Sequence, residues 1–145
     1  GPPLAFRRAD ATDADTVGAI TAAAFGDPPA DVTQWVRQDL ARPDRRWFLA
    51  SLDGVPIGSL RVIAKGAEAD ITAFGVLPAH QGRGYGRAIL SRTIALLLAE
   101  GQSAISIETE TDNATALGLY RSCGFVARHT YGYYRVAVTE VRSEK

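Results

Sequence analysis

Residues 74–87, which read FGVLPAHQGRGYGR, decide the fold of this chain. The apolar stretch at 74–77 predicts the end of a β-strand, and the residues after 87 have the apolar spacing of a long helix. Between them stand three glycines at alternate positions, and glycine lets a loop approach a ligand closely and adopt positive φ. Backbone N–H groups and the helix dipole at a helix start favour an anion. The stretch therefore predicts a pyrophosphate-binding loop between a strand and a helix.

Two arginines also favour an anion as the ligand, and the spacing of the glycines excludes some classes of phosphate-binding loop. Arg83 and Arg87 lie four residues apart at the helix start, where they can flank a phosphate. A P-loop would need Gly-Lys-Ser/Thr, and the stretch contains no lysine. A Rossmann fingerprint would need glycine or alanine where Arg87 or Ile89 stands. Dinucleotide binding stays open as an alternative because Glu108 lies near the expected distance for a ribose-binding carboxylate.

The elements on either side of this stretch predict an α/β fold of the α+β type. Strand patterns at 4–9, 47–51, 55–63 and 69–77 come early, with a hairpin turn at Asp53-Gly54. Between the first two strands, apolar residues at helical spacing predict one helix through Phe25 and a second that ends before Pro43, separated by a loop at 26–29. A helix at 84–100, a strand at 104–109, a helix at 113–122 and strands at 125–128 and 131–138 follow the early strands. This order predicts a mixed, mostly antiparallel sheet of six to seven strands with helices on both faces.

Length and composition exclude several classes of protein. The 145 residues suit one domain, 1–145, and 16 basic against 16 acidic residues argue against a nucleic-acid partner. Cys123 is the single cysteine and there are two histidines, so we expect no disulfide within the chain and no metal. The longest aliphatic run, 94–99, is too short for a membrane span, and a cytoplasmic location is expected. A chain with no methionine suggests processing or a piece of a longer protein.

Two motifs together resemble the GNAT family of N-acetyltransferases. Gln81-x-x-Gly84-x-Gly86 is similar to the acetyl-CoA signature of that family, and Val76-x-Pro78 matches the strand end before it. The later run from Asn113 through Leu119-Tyr120 to Gly124-Phe125 resembles the second motif at its usual offset. The resemblance covers nearly the whole chain. It implies an acyl-CoA N-acyltransferase fold and direct transfer of an acetyl group from acetyl-CoA to a primary amine.

The resemblance also implies which residues bind acetyl-CoA. The strand that ends at 77 splays from its neighbour in the family, and Val76 and Leu77 would offer main-chain contacts to the pantetheine arm. Gly75 marks a bulge or a close backbone approach in that strand. Asn113 would bond the pantetheine arm or, equally well, simply cap a helix. The implied binding set is Val76, Leu77, Gln81, Gly82, Arg83, Gly84, Tyr85, Gly86, Arg87 and Asn113.

The reaction needs a base, an oxyanion donor and an acid, because a primary amine of pKa about 10.4 is almost fully protonated at pH 7. The resemblance implies Tyr120 as the acid for the departing thiolate, the alternative being an aromatic that only packs on the sheet. It implies Asp70 as the base, acting through a water because aspartate is short, the alternative being a solvated carboxylate. Asp70, Thr72 and Phe74 should share one strand face. Other candidate bases are Glu68, Glu108 and Glu110.

The acceptor amine is not identified by the sequence. In the family it is held by the loop between the first two helices, here around Phe25–Pro29 and Trp35. The run Thr130-Tyr131-x-Tyr133-Tyr134 resembles family members with two such domains, so the partners expected are an amine, a second copy in a homodimer, or a second GNAT domain. A catalytically silent module that binds acyl-CoA or a partner is the alternative function. Arg45 and Arg46 are expected on a solvated face.

Overall fold

The computed structural model describes the backbone of residues 4–110, 114–130 and 133–139 and the side chains of residues 4–107 and 115–126. Seven strands and four α-helices lie in this part of the chain. The strands are β1 (Leu4–Arg8), β2 (Arg45–Leu52), β3 (Val55–Lys65), β4 (Glu68–Val76), β5 (Ala104–Glu110), β6 (Val126–Thr130) and β7 (Tyr133–Thr139). The helices are α1 (Ala14–Phe25), α2 (Pro29–Leu40), α3 (Tyr85–Ala99) and α4 (Ala114–Ser122).

The strands form one sheet with the order β1-β2-β3-β4-β5-β7-β6. β4 and β5 run parallel, and each other neighbouring pair of described strands is antiparallel. The hairpin between β2 and β3 turns at Asp53-Gly54, where both residues have positive φ. The predicted fold class, a mixed and mostly antiparallel sheet of six to seven strands, is confirmed.

Each face of the sheet carries its own helix pair and its own apolar cluster. On the α3/α4 face, Ile89, Leu90 and Leu97 pack with Ile71 of β4 and Tyr120 of α4. On the α1/α2 face the cluster is formed by residues of both helices and of β2, namely Val17, Ile20, Ala22, Val32, Val36, Trp47 and Leu49. The predicted arrangement of helices on both faces is therefore confirmed.

The described residues contain neither a candidate membrane span nor a candidate metal-binding group. Each helix in that part of the chain is too short or too polar to cross a bilayer. The described histidine, cysteine, aspartate and glutamate side chains form no group of three or more that could hold a metal ion.

Candidate active site

A cavity opens where β4 and β5 separate. The two strands pair only from Glu68↔Ala104 to Ile71↔Ile107, although both continue beyond these pairs. Ile71 and Ile107, the last paired residues, line a cavity of about 1140 Å³ that widens between the diverging strands. This volume slightly exceeds the usual range of about 300–1,000 Å³ for small-molecule sites, so the cavity can take an extended ligand. The splayed strand pair implied by the resemblance is present.

A β-bulge turns β4 at the mouth of the opening. Arg61 pairs with Thr72 but Ser59 pairs with Gly75, so β4 carries one extra residue between these pairs. Ala73 lies in the bulge with φ of 52°, a conformation that L-residues rarely adopt. The sequence suggested the bulge or a close approach at Gly75. The bulge is at Ala73, whereas Gly75 is the close approach, because a Cβ there would lie 2.5 Å from Cβ of Ala24 on α1.

The bulge changes which β4 side chains share a face. Ile71 and Phe74 both pack against the α3/α4 cluster, while Ala73 packs against the α1/α2 cluster. Asp70 and Thr72 alternate with Ile71 and so lie on the α1/α2 face. The prediction that Phe74 shares their face is wrong, since the extra residue at Ala73 reverses the alternation.

The glycine-rich loop meets the same cavity. Gly82 and Gly84 have φ of 77° and 86°, and Gly84 is the N-cap of α3 with no side chain to cap the helix. The first intrahelical bond runs from Ala88 N–H to the Gly84 carbonyl at 3.1 Å, so the N–H groups of residues 85–87 precede it. Gly82, Gly84 and Gly86 line the cavity. The loop therefore presents backbone donors where an anion would enter.

The charges at the start of α3 also favour an anion. The first turn of this helix holds no acidic residue to complement the helix dipole. Arg87 lines the cavity, and its guanidinium also donates to the Ser122 carbonyl of α4 at 3.4 Å. Arg83 is exposed and lies outside the cavity lining. Of the two predicted phosphate-flanking arginines, the structure brings only Arg87 to the cavity.

Val76 and Leu77 differ in what their main-chain groups do. The Leu77 N–H donates to the Ile57 carbonyl at 2.8 Å, and the Leu77 carbonyl accepts from His80 N–H at 2.8 Å. The Leu77 side chain packs against the α1/α2 cluster. Both main-chain groups of Leu77 therefore already have partners within the protein, and its predicted contact with a pantetheine arm stays a prediction. Because neighbouring residues of a strand point their N–H groups to opposite sides, the Val76 N–H points to the open edge of β4.

Gln81 forms a hydrogen bond to the open edge of β4. Its side-chain amide donates to the Val76 carbonyl at 2.8 Å, and both residues line the cavity. Tyr85, which also belongs to the predicted binding set, is the first residue of α3. Its side chain lies outside the cavity lining, with its ring 6.2 Å from the ring of His80. Its backbone N–H remains part of the helix start.

Tyr120 reaches the cavity from α4. It is 6% exposed, and its ring lies 6.5 Å from Phe74 and 6.1 Å from Phe125. Burial raises the pKa of its phenol to about 12. The group therefore keeps its proton throughout the neutral range. Tyr120 thus packs against other aromatic rings and also lines the cavity, and its role as the acid stays a prediction.

Of the other predicted catalytic residues, Asp70 and Glu68 can be placed, and both stand outside the described lining. Asp70 pairs with Ser106, one residue before the cavity begins, and is half-buried outside the lining. Glu68 begins β4 and is exposed. The side chains of Glu108 and Glu110, and the whole of Asn113, lie outside the described residues.

A cluster on the α1/α2 face was not predicted from the sequence. Arg61 of β3 lies against the rings of Trp35 and Trp47 and bonds Asp39 and Thr72. Sequence alone could pair Trp47 with Arg61 across a hairpin, but the contribution of α2 depends on tertiary packing. Two further expectations are wrong. Arg45 is half-buried and bonds Asp39, and Arg46 is half-buried with two bonds of 2.9 Å to Glu100.

Helix α1 also reaches the cavity: Ala24 and Phe25 line it beside Thr72 and Ala73. Phe25 is 51% exposed, so it forms part of the rim. Trp35, expected near the acceptor, lies outside the lining and packs in the Arg61 cluster instead.

A parallel strand pair that diverges next to a glycine-rich helix start is typical of the acyl-CoA N-acyltransferase fold. Comparison with known proteins gives the same assignment. The acetyltransferase (GNAT) family profile matches residues 14–125. The chain belongs to this family.

Among the relatives, the chain is 35% identical over 130 residues to a mycothiol acetyltransferase of Clavibacter michiganensis, covering 84% of the chain and 42% of that protein. It is 33% identical over 128 residues to the N-alpha-acetyltransferase RimI of Mycobacterium tuberculosis, covering 85% of the chain and 78% of that protein. The chain thus spans less than half the length of that mycothiol acetyltransferase.

The fold also matches a PaiA N-acetyltransferase of Thermoplasma acidophilum, solved in complex with coenzyme A. The TM-score is 0.81 at 13% identity, over 94% of this chain and 99% of that one. At this identity the likeness shows the fold alone.

Proposed function

We propose that this chain transfers an acetyl group from acetyl-CoA to a primary amine by direct attack, with no acyl-enzyme. One observation carries the proposal: the uncapped start of α3, the open edge of β4 and the Tyr120 phenol all meet at one cavity. An anion-binding end joined to an apolar channel suits a donor with a pyrophosphate and a long neutral arm. Family membership supports the same reaction class.

The donor would bind along the α3/α4 side of the opening. The N–H groups of residues 82–87 would hold the pyrophosphate, and Arg87 would add charge next to it. The pantetheine arm would lie along β4 in the place of a missing strand, with the Val76 N–H as a main-chain donor. Gln81 already occupies the Val76 carbonyl, so an incoming amide must share or replace that bond.

The bond changes define what the chain must supply. The amine nitrogen bonds to the thioester carbonyl carbon, the carbon–sulfur bond breaks, and the sulfur leaves with the electron pair. The departing thiolate takes a proton, and the amine loses one. Tyr120 would give the proton to sulfur, because a pKa of about 12 keeps its phenol protonated until it is needed.

The proposed acceptor class is an α-amino group. An α-amine of pKa about 7.7–8.0 is neutral in roughly one molecule in ten at pH 7, against one in a few thousand for a lysine amine. A weak or distant base therefore suffices for an α-amine. The relative named N-alpha-acetyltransferase RimI supports this class, since the chain covers 78% of that protein. Asp70 directly precedes the lining residue Ile71 on β4. We propose it as the base, with a water molecule carrying the proton from the amine to its carboxylate.

A thiol-release assay tests the proposal. The probes are acetyl-CoA with a hexapeptide that has a free amino terminus, the same peptide blocked at its terminus but carrying a lysine, and spermidine. The proposal expects coenzyme A release with the free terminus and little with the blocked peptide. Binding of acetyl-CoA without release for any probe would favour the alternative, a silent acyl-CoA-binding module.

The role of Asp70 has its own test. In the Asp70→Asn variant we expect the acid limb of the pH–rate profile to flatten, because the variant cannot accept the proton of the amine. The measurement is kcat/KM for the free-terminus peptide from pH 5.5 to 9. A profile identical to that of the unaltered protein would remove Asp70 from the mechanism and leave Glu68, Glu108 or bulk water as the base.

A further inference from the structure

The arginine at the centre of the α1/α2 face links helix α2 to the wall of the cavity. The Arg61 guanidinium lies 5.0 Å from the Trp35 ring centre and 5.6 Å from that of Trp47. It donates to Asp39 Oδ2 at 3.0 Å and, through Nε, to Thr72 Oγ1 at 2.9 Å. One planar group thus contacts α2, β2 and β4 together.

The network around Asp39 fixes the position of this guanidinium. Asp39 is 4% exposed, and its carboxylate also accepts from Trp47 Nε1 at 2.7 Å and from Arg45 at 3.1 Å. A buried carboxylate with three donors has few alternative arrangements, whereas its net contribution to stability is small. The network is therefore better suited to holding one geometry than to stabilising the fold.

Thr72 connects the fixed Arg61 guanidinium to the cavity. The Thr72 hydroxyl accepts from Arg61 Nε and donates to the Arg61 carbonyl at 3.3 Å. Thr72 lines the cavity and immediately precedes Ala73, whose φ of 52° forms the bulge. A non-glycine residue in this conformation persists only when its surroundings hold it there. The Arg61–Thr72 pair is the described contact that fixes the residue before the bulge.

We propose that Arg61 is a positioning residue, which sets the bulged wall of the cavity through Thr72 and joins that wall to helix α2. The proposal rests on the proposed function, because the wall it positions would face the acetyl group and the amine. Arg61 itself lies outside the lining, so any effect of its substitution on the chemistry must pass through the wall.

A double-mutant cycle tests the proposal. Arg61→Lys keeps the charge opposite Asp39 but lacks the planar fork that reaches Thr72 and the two rings together. Thr72→Val keeps the shape and loses both hydrogen bonds. We expect each variant to lower kcat about tenfold, because a small misplacement of a cavity wall is costly to the reaction. The double variant should be no worse than either single one, and Thr72→Ser should restore kcat.

The matched control is Arg46→Gln. Arg46 is likewise a half-buried sheet arginine with a carboxylate partner, to which it makes two bonds (Glu100), and it lies 5.8 Å from the Phe48 ring centre. It sits at the other end of α3, away from the cavity. We expect kcat of Arg46→Gln within about twofold of the unaltered protein, since it makes no contact with the cavity wall. An equal loss in this control would overturn the proposal.

Tryptophan fluorescence gives a second readout. The chain has two tryptophans, and both lie against Arg61. We expect acetyl-CoA to change the emission of the unaltered protein, and Thr72→Val to bind acetyl-CoA with the emission unchanged. An equal response in both proteins, or none in either, would overturn the proposal. This arm and the Thr72→Ser comparison decide the matter if Arg61→Lys fails to fold.

Failure of the inference is distinguishable from failure of the proposed function. If the unaltered chain transfers acetyl groups while Arg61→Lys and Thr72→Val keep their kcat, or if the two losses add in the double variant, the positioning role alone is overturned. If the unaltered chain neither binds nor consumes acetyl-CoA, the proposed function fails and the positioning role fails with it.

Discussion

The two sides of the cavity are built from different kinds of contact. The donor side is made of local backbone: two glycines of positive φ, an uncapped helix start and a strand edge lie within residues 74–87. The side proposed to face the acceptor is held by side chains far apart in sequence, since Asp39, Trp47, Arg61 and Thr72 come from α2, β2, β3 and β4, and of these Thr72 alone lines the cavity. The geometry of the donor side therefore follows from consecutive residues, whereas that of the other side depends on how distant elements pack.

The largest expected effect tests the donor side. Gly84→Val places a β-branched residue at φ of 86° directly at the helix start, so the loop must change its backbone and withdraw its N–H groups. We expect acetyl-CoA affinity to fall by more than about a hundredfold, the loss of several charge-assisted bonds. The measurement is calorimetric titration.

Gly101→Val is the control for that variant. Gly101 follows the other end of α3 with φ of 93°, and as at Gly84 nothing lies within 4 Å of an added Cβ. Both variants should lose similar stability, but only Gly84→Val should lose binding. Equal losses of affinity would mean that general destabilisation, not the loop, explains the effect.

The next effect concerns the acid. Tyr120→Phe keeps the ring packing and removes the phenol, so we expect kcat to fall about a hundredfold with the Kd of acetyl-CoA nearly unchanged. Because the pKa of Tyr120 is raised to about 12, the unaltered protein should show no alkaline loss of rate from this group below about pH 10. Turnover equal to that of the unaltered protein would leave Tyr120 a packing residue.

The two arginines of the loop allow a sharper comparison on the donor side. Arg87 lines the cavity and Arg83 does not. We expect Arg87→Gln to weaken acetyl-CoA binding about fivefold to tenfold and to reduce its salt dependence, because it removes a charge beside the phosphates. Arg83→Gln should weaken binding less than about twofold at 0.15 M salt. The reverse order would place the pyrophosphate on the other side of the loop.

The last prediction concerns the stability of the fold at the start of α1. Asp13, just before α1, is buried and accepts two bonds of 2.8 Å from Arg7, which hold its pKa down at about 2 against an ordinary 3.8. The unfolded chain therefore takes up this proton at higher pH than the folded one. The stabilisation is present above about pH 4 and is lost as the pH falls towards 2.

For Asp13→Asn we expect a loss of about 1–2 kcal/mol in the free energy of unfolding at pH 7, since the exposed Arg7 weakens the pair. The difference between the variant and the unaltered protein should shrink by pH 2. Urea titrations at the two pH values measure it, and a difference that does not change with pH would contradict the assignment of the pKa shift.

The contrast between the two sides also explains what the sequence could predict. The glycine loop, the start of α3 and the splayed strand are encoded by consecutive residues, so their order and types predicted the fold and most of the donor side. The bulge was misplaced because Ala73, not Gly75, adopts the positive φ, and nothing in the identity of an alanine indicates this. That error also reversed the expected face of Phe74.

The contacts that the sequence did not predict, which lie on both faces of the sheet, depend on tertiary packing. Arg45 and Arg46 have the sequence character of solvated residues, yet Asp39 from α2 and Glu100 from the end of α3 meet them in the fold. Arg61 and Thr72 pair only because β3 and β4 align in the observed register. A single sequence carries the types of these residues but not the register or helix placement that brings them together.

The most direct test of the account is a calorimetric titration of the chain with acetyl-CoA, with NAD as the control ligand. The account expects saturable one-to-one binding of acetyl-CoA, competition by coenzyme A, and no heat of binding with NAD. A folded protein that binds no acetyl-CoA, or one that binds NAD instead, would contradict the claim that the loop at 82–87 and the open edge of β4 form an acetyl-CoA site.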